Sequence, residues 1–163
     1  MNKLKNLLIV CLVLFGVRAM SQVPTTFSNE ALKDTFITLE GETVTFKDIL
    51  ESHKGQNLVI DIWASWCGDC LRGLPKVKAL QQDHEEVSYI FLSLDRSQEA
   101  WKNGIEKHEI KGDHYFMQSG WKGPFGTFVA LDWIPRYMVV DKEGNIKLFK
   151  AIEADDKKIK DVL

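Results

Sequence analysis

The chain has 163 residues, with 21 basic and 23 acidic side chains and a formal net charge of −2. With no basic stripe, nucleic-acid binding is disfavoured, because neutralising phosphates supplies most of its affinity. Three cysteines are too few for a secreted scaffold stapled by several long-range disulfides, and the length suits one domain with a substantial core.

Residues 1–21 read as a signal peptide. Lys3 and Lys5 form a basic start, residues 7–17 are an apolar run, and Ala19, Met20 and Ser21 offer small residues at a cleavage point. The run falls short of the about 20 apolar residues that span a bilayer, and Arg18 ends it. Secretion across the inner membrane into the periplasm is the expectation, with a retained N-terminal anchor as the alternative. Cys11 follows Val10, a poor lipoprotein context, and is expected to leave with the signal. The domain is therefore placed at 22–163. Without Lys3, Lys5 and Arg18 the 21 basic residues become 18, against 23 acids, a net of −5.

In chain order, residues 36–39 and 43–46 flank Glu40-Gly41-Glu42 as a short hairpin. Residues 58–63 are almost continuously apolar, as in a strand covered on both faces. From Cys67 onward Leu71, Leu74, Val77 and Leu80 recur at helical spacing, and Pro75 is expected to kink that helix. Residues 87–94 read as a buried strand and 97–107 as a helix with Ala100, Trp101 and Ile105 inward. Residues 137–140 and 146–149 form a second hairpin around Asp141-Lys142-Glu143-Gly144-Asn145, and 154–163 a short final helix. The alternating Lys157, Lys158, Lys160 and Asp155, Asp156, Asp161 read as a solvated face. Segment 111–132, with its aromatics among glycines, reads first as a plug over a sheet edge and second as a binding surface.

The chemistry concentrates at Cys67-Gly68-Asp69-Cys70, where an apolar strand runs into a helix. A cysteine at a helix start lies near unpaired backbone N–H groups that favour its thiolate. Cys67 is thereby the nucleophile and Cys70, one turn inside, the resolving thiol of a mixed-disulfide cycle. The pair closes too small a loop to constrain the unfolded chain much. Haem attachment would need a histidine after Cys70, where Leu71 stands, and zinc would need further paired ligands. His53, His84, His108 and His114 show no such spacing and read as surface or cap residues. No metal, no cofactor and a monomeric state are expected. Asp61 interrupts the buried strand, on the face of Val59 and Trp63. Desolvation there should raise its pKa and suit it to accept the Cys70 proton; a hydrogen-bonded structural carboxylate is the plainer alternative.

The run from Asp61 to Cys70, Pro75 five residues beyond, and Ile134-Pro135 before a strand resemble the thioredoxin superfamily. With the signal and the first hairpin, Trp-Ala-Ser-Trp-Cys resembles its secreted TlpA/ResA-type thiol–disulfide oxidoreductases over about residues 36–163. The resemblance implies an α/β thioredoxin fold, a central mixed sheet flanked by helices, with an added N-terminal β-hairpin. It implies redox roles for Cys67 and Cys70, a buried acid at Asp61 and a helix-kinking Pro75. It also implies a cis Pro135 facing the disulfide, the Ile134 backbone pairing to substrate peptide, and a membrane electron donor.

Three positions depart from the pattern. Asp69 replaces a proline common between the cysteines, Arg136 stands where threonine is common, and Phe91 where some thioredoxins carry a lysine. With Gly68, Asp69 is expected to tune the redox poise. A carboxylate on the order of 7 Å from the Cys67 sulfur adds about 0.6 kcal/mol of repulsion in water, a small push toward a reductant. Trp66 is expected on the surface to meet unfolded or extended substrates; for Trp133 inward packing is slightly favoured. The function expected is reduction of protein disulfides outside the cytoplasm. The alternatives are an oxidase or isomerase using the same residues, or a non-catalytic binding domain.

Overall fold

The structure is a computed structural model, and it describes residues 23–163. The signal-peptide expectation for 1–21 and the boundary at residue 22 lie outside the described residues. Among those described, no helix is long and apolar enough to cross a membrane.

Seven strands form one mixed sheet in the order β2-β1-β5-β4-β3-β6-β7. Its centre is parallel: β3 (Leu58–Trp63), β4 (Ser88–Ser93) and β5 (Asp113–Phe116). β6 (Arg136–Val140) runs antiparallel beside β3, and β7 (Ile146–Ala151) antiparallel beside β6. At the other edge the hairpin of β1 (Thr35–Ile37) and β2 (Thr43–Thr45) joins antiparallel to β5. All six β3 side chains are buried, as a strand covered on both faces requires. This is the mixed sheet flanked by helices that the sequence led us to expect.

Helix α1 (Asn29–Lys33) precedes the hairpin, and α2 (Phe46–Ser52) follows it directly. A capping box at Thr45 and Asp48 starts α2, so Phe46 leaves the expected strand and opens a helix that hydrophobic pattern alone did not disclose. Helices α3 (Gly68–Asp83) and α4 (Gln98–His108) cross over from β3 to β4 and from β4 to β5. Right-handed crossovers in one direction put both on the same face. Two contacts agree: the Tyr89 hydroxyl donates to the Leu80 carbonyl at 3.0 Å, and a Cβ on Gly104 would meet Ser65 Cβ at 2.5 Å and Trp63 at 3.4 Å. Pro75 lies inside α3.

Segment 111–132 is not one long loop. It supplies β5, a 3-10 turn (Gly120–Lys122) and α5 (Pro124–Phe128). Phe125 enters an aromatic cluster with Phe27, Phe36 and Phe46, so the aromatics do fill core there. Trp121 packs against the core from one side and stays half-buried at the surface. The final helix α6 is confined to Lys157–Lys160, far shorter than 154–163, because Asp156 takes the N-cap position and its carboxylate accepts from the Lys158 amide at 2.9 Å. Two histidines also depart from expectation. His114 is buried in β5, stacked on Phe91 at 5.2 Å, and His53 is buried although it does cap α2.

Candidate active site

β3 ends at Trp63 and the chain reaches Cys67 across a tight turn held by the Asp95 carboxylate. Asp95 accepts from the Ser65 amide at 3.1 Å, the Ser65 hydroxyl at 2.6 Å and the Ser93 hydroxyl at 2.8 Å. Sequence inspection passed over Asp95, although an acid directly after a buried strand was a signal to be followed.

Cys67 is the N-cap of α3, and its sulfur accepts from the Cys70 amide at 3.1 Å. The helix thus directs an unpaired N–H and its positive end at this sulfur, which stabilises a thiolate once the bond is reduced. Here Cys67 and Cys70 are joined in a disulfide, with Cα atoms 5.3 Å apart. Both are buried, Cys67 at 6% and Cys70 at 3% exposure, so the two differ little in access in the oxidised form.

Opposite the disulfide, the Ile134–Pro135 peptide bond is cis. The Ile134 carbonyl oxygen lies 3.7 Å from Cys67 Sγ, and Pro135 borders the adjoining groove. Trp66 is 53% and Trp133 55% exposed, so Trp133 turns outward against the slightly favoured inward packing. Arg136 accounts for that. Its fully buried guanidinium donates to the Val129 carbonyl at 2.8 Å and pairs with Asp132, tying down the segment from which Trp133 projects.

Asp61 is buried beside the register partners Phe91 on β4 and Tyr137 on β6, and Oδ1 has no hydrogen-bond partner. Desolvation pushes its carboxyl up from 3.8 to about 8. No hydrogen-bonded structural role is visible for it. Its side chain shares the sheet face with Tyr89, which α3 covers.

Asp69 does not act alone. Arg72, one turn along α3, pairs with its carboxylate, and Arg72 Nη1 would lie 3.3 Å from a Cβ on Gly68. The guanidinium therefore sits over the start of the helix and offsets the repulsion expected from Asp69. The acid–base spacing of three was the available signal.

Among the described residues, no group of three or more His, Cys, Asp or Glu side chains is placed to hold a metal ion.

The comparisons with known proteins meet this geometry. A thioredoxin-like family model matches residues 55–146, more than half of the chain. The thiol-disulfide oxidoreductase ResA of Bacillus cereus is 26% identical over 157 residues, covering 89% of this chain and 86% of that protein. ResA of Bacillus anthracis is also 26% identical with the same coverage. A solved thiol-disulfide oxidoreductase from Bacteroides fragilis superposes with a TM-score of 0.68 at 22% identity, over 82% of this chain and 99% of that one, and so shares the fold. A helix-capping cysteine pair, a facing cis-proline and a family model spanning both place the chain in the thioredoxin-like family, as a thiol–disulfide oxidoreductase of that superfamily.

Proposed function

We propose that this oxidoreductase works as a reductant of protein disulfides, with Cys67 as nucleophile, Cys70 as resolving thiol and Asp61 as proton acceptor. The observation that carries these roles is the Cys67 sulfur capping α3 and accepting the Cys70 amide at 3.1 Å.

The Cys67 thiolate attacks one sulfur of a substrate disulfide. A Cys67–substrate disulfide forms, and the other substrate sulfur leaves as a thiolate that takes a proton from water. Cys70 then passes its proton to the Asp61 carboxylate and attacks Cys67 Sγ. The second substrate sulfur departs, the Cys67–Cys70 bond closes, and two electrons have moved to substrate. A carboxyl titrating at about 8 keeps roughly a tenth ionised at pH 7, a working compromise between available base and basicity.

Ile134 and Pro135 lie where a substrate backbone must pass, and Trp66 borders the same place. The direction of electron flow rests on Asp69, whose weak effect Arg72 reduces further. The signal-like residues 1–21 support a periplasmic site, and a membrane-bound electron donor and action as a monomer complete the reading. The test is catalysis of insulin reduction by dithiothreitol, together with capture of client and donor as mixed disulfides on a Cys70→Ala variant. Activity in the first and discrete protein adducts in the second are expected. A potential well above the glutathione couple would reverse the direction to oxidase or isomerase, and full biological activity in Cys67→Ala would leave a binding domain.

A further inference from the structure

One groove opens at the disulfide and two others adjoin it. The central one has Trp66, Trp121 and Trp133 as walls around Cys67 and Ile134. It shares Trp66 and Trp121 with a groove leading to Leu94 and Met117, and Asp69 and Trp133 with one leading to Gly73 and Tyr137. Shared walls make them one trough, with the Cys67 sulfur near its middle.

The central groove selects little by charge. Its one ionisable lining side chain besides the cysteine is Asp69, held by Arg72. What it presents is aromatic: Trp66 and Trp133 are more than half exposed, and Trp121 is half-buried. An occupant has to bring a sulfur to Cys67 and an apolar side chain to the tryptophans at the same time. A neutral, extended stretch of polypeptide around a cysteine satisfies both demands.

Trp121 is held in place rather than adrift on a loop. Asp34, at the end of α1, accepts from the Ser119 hydroxyl at 2.8 Å and the Phe125 amide at 2.9 Å, fixing both flanks of the turn that carries it. Gly126 of α5 packs so closely on that turn that a Cβ there would lie 2.8 Å from the Gly120 carbonyl oxygen. A rigid platform ending in a partly buried indole that borders the groove beside a reactive disulfide is suited to selecting substrates.

We propose that Trp121 sets substrate preference, favouring extended polypeptides with an aromatic or large aliphatic residue adjacent to the cysteine that meets Cys67. This deepens the reductant reading above and rests on it.

The test compares two eight-residue peptides, each with one cysteine disulfide-bonded to glutathione, differing only in Phe or Ser beside that cysteine. The wild-type protein is expected to reduce the Phe peptide with about 10-fold higher kcat/KM, mostly through KM. Trp121→Ala is expected to bring the ratio near unity, and Trp121→Phe to restore most of it. A ratio near unity in the wild type, or an undiminished ratio in Trp121→Ala, overturns the assignment of Trp121 alone. If Trp121→Ala does not fold, Trp121→Gln decides: a ratio near unity supports the assignment, and an undiminished one overturns it. A wild-type protein that reduces neither peptide nor insulin overturns the oxidoreductase roles as well. A dimer that Trp121→Ala dissolves in sedimentation would put a second copy in the trough and overturn the proposal.

Discussion

Asp61 and Phe91 are register partners on adjacent parallel strands, so an aromatic ring stands beside a buried carboxylate that no hydrogen bond reaches at Oδ1. Tyr137 flanks it from β6. Phe91 puts an apolar ring beside the carboxyl, and no nearby cation lowers it again. In the proposed mechanism, proton handling at the buried site therefore falls to Asp61 alone.

The first consequence is kinetic. Asp61→Asn is expected to slow resolution of the mixed disulfide by about 10²-fold or more near pH 7 and to remove the step near pH 8 from its pH–rate profile. Single-turnover release of a fluorescent peptide across pH 5.5–9.5 reads this directly. An unchanged profile would dismiss Asp61 as the acceptor.

The second is thermodynamic. The folded carboxyl titrates at about 8, above its ordinary 3.8, so the folded protein holds a proton that the unfolded chain has already released between those values. This contribution to stability is complete below about pH 4 and drains away as pH rises to about 8, by up to ~1.4 kcal/mol per pH unit. Asp61→Asn should thus be several kcal/mol more stable than wild type at pH 8, with a much smaller gain at pH 5. Urea midpoints at the two pH values test it, and equal shifts at both would contradict the linkage.

Arg72 makes a different kind of prediction. Arg72→Gln leaves the Asp69 carboxylate unopposed near Cys67 and should raise the Cys67 thiol pKa by less than about half a unit. Adding Asp69→Asn should bring it back down. The pH dependence of iodoacetamide alkylation on the reduced protein measures both, and identical curves for single and double variants would show that Asp69 exerts no field there.

At Arg136, the fully buried guanidinium is the donor that satisfies the Val129 carbonyl at 2.8 Å. Arg136→Ala leaves that carbonyl without its partner and opens a cavity, at a cost of about 3 kcal/mol or more. Arg136→Met orphans the same carbonyl but fills most of the space, so a smaller loss of about 2 kcal/mol is expected. Equal losses in urea unfolding would mean that volume plays no part.

Much of the architecture was legible in local pattern. The continuous apolar run at 58–63, the helical spacing after Cys67 and the turn residues at 141–145 each specify an element whose own side chains bury its surface. The Cys67–Cys70 pair and Asp61 stood out because a close thiol pair and a carboxylate in an apolar strand are both costly without a use. Helix α2 was harder because its start is marked by a local capping box at Thr45 and Asp48 and not by apolar periodicity, and segment 111–132 because its short strand at 113–116 is held by strands far away in sequence.

From sequence alone came the reactive pair, the acid beneath it and the order of the central elements, all set by side-chain chemistry and spacing over a few residues. Tertiary structure alone decided that Arg136 is buried and holds out Trp133, and that Asp34 fixes Trp121 beside the sulfur. Both depend on how the folded chain seals a side chain from water and brings a donor within about 3 Å of an acceptor, which hydropathy and periodicity do not encode.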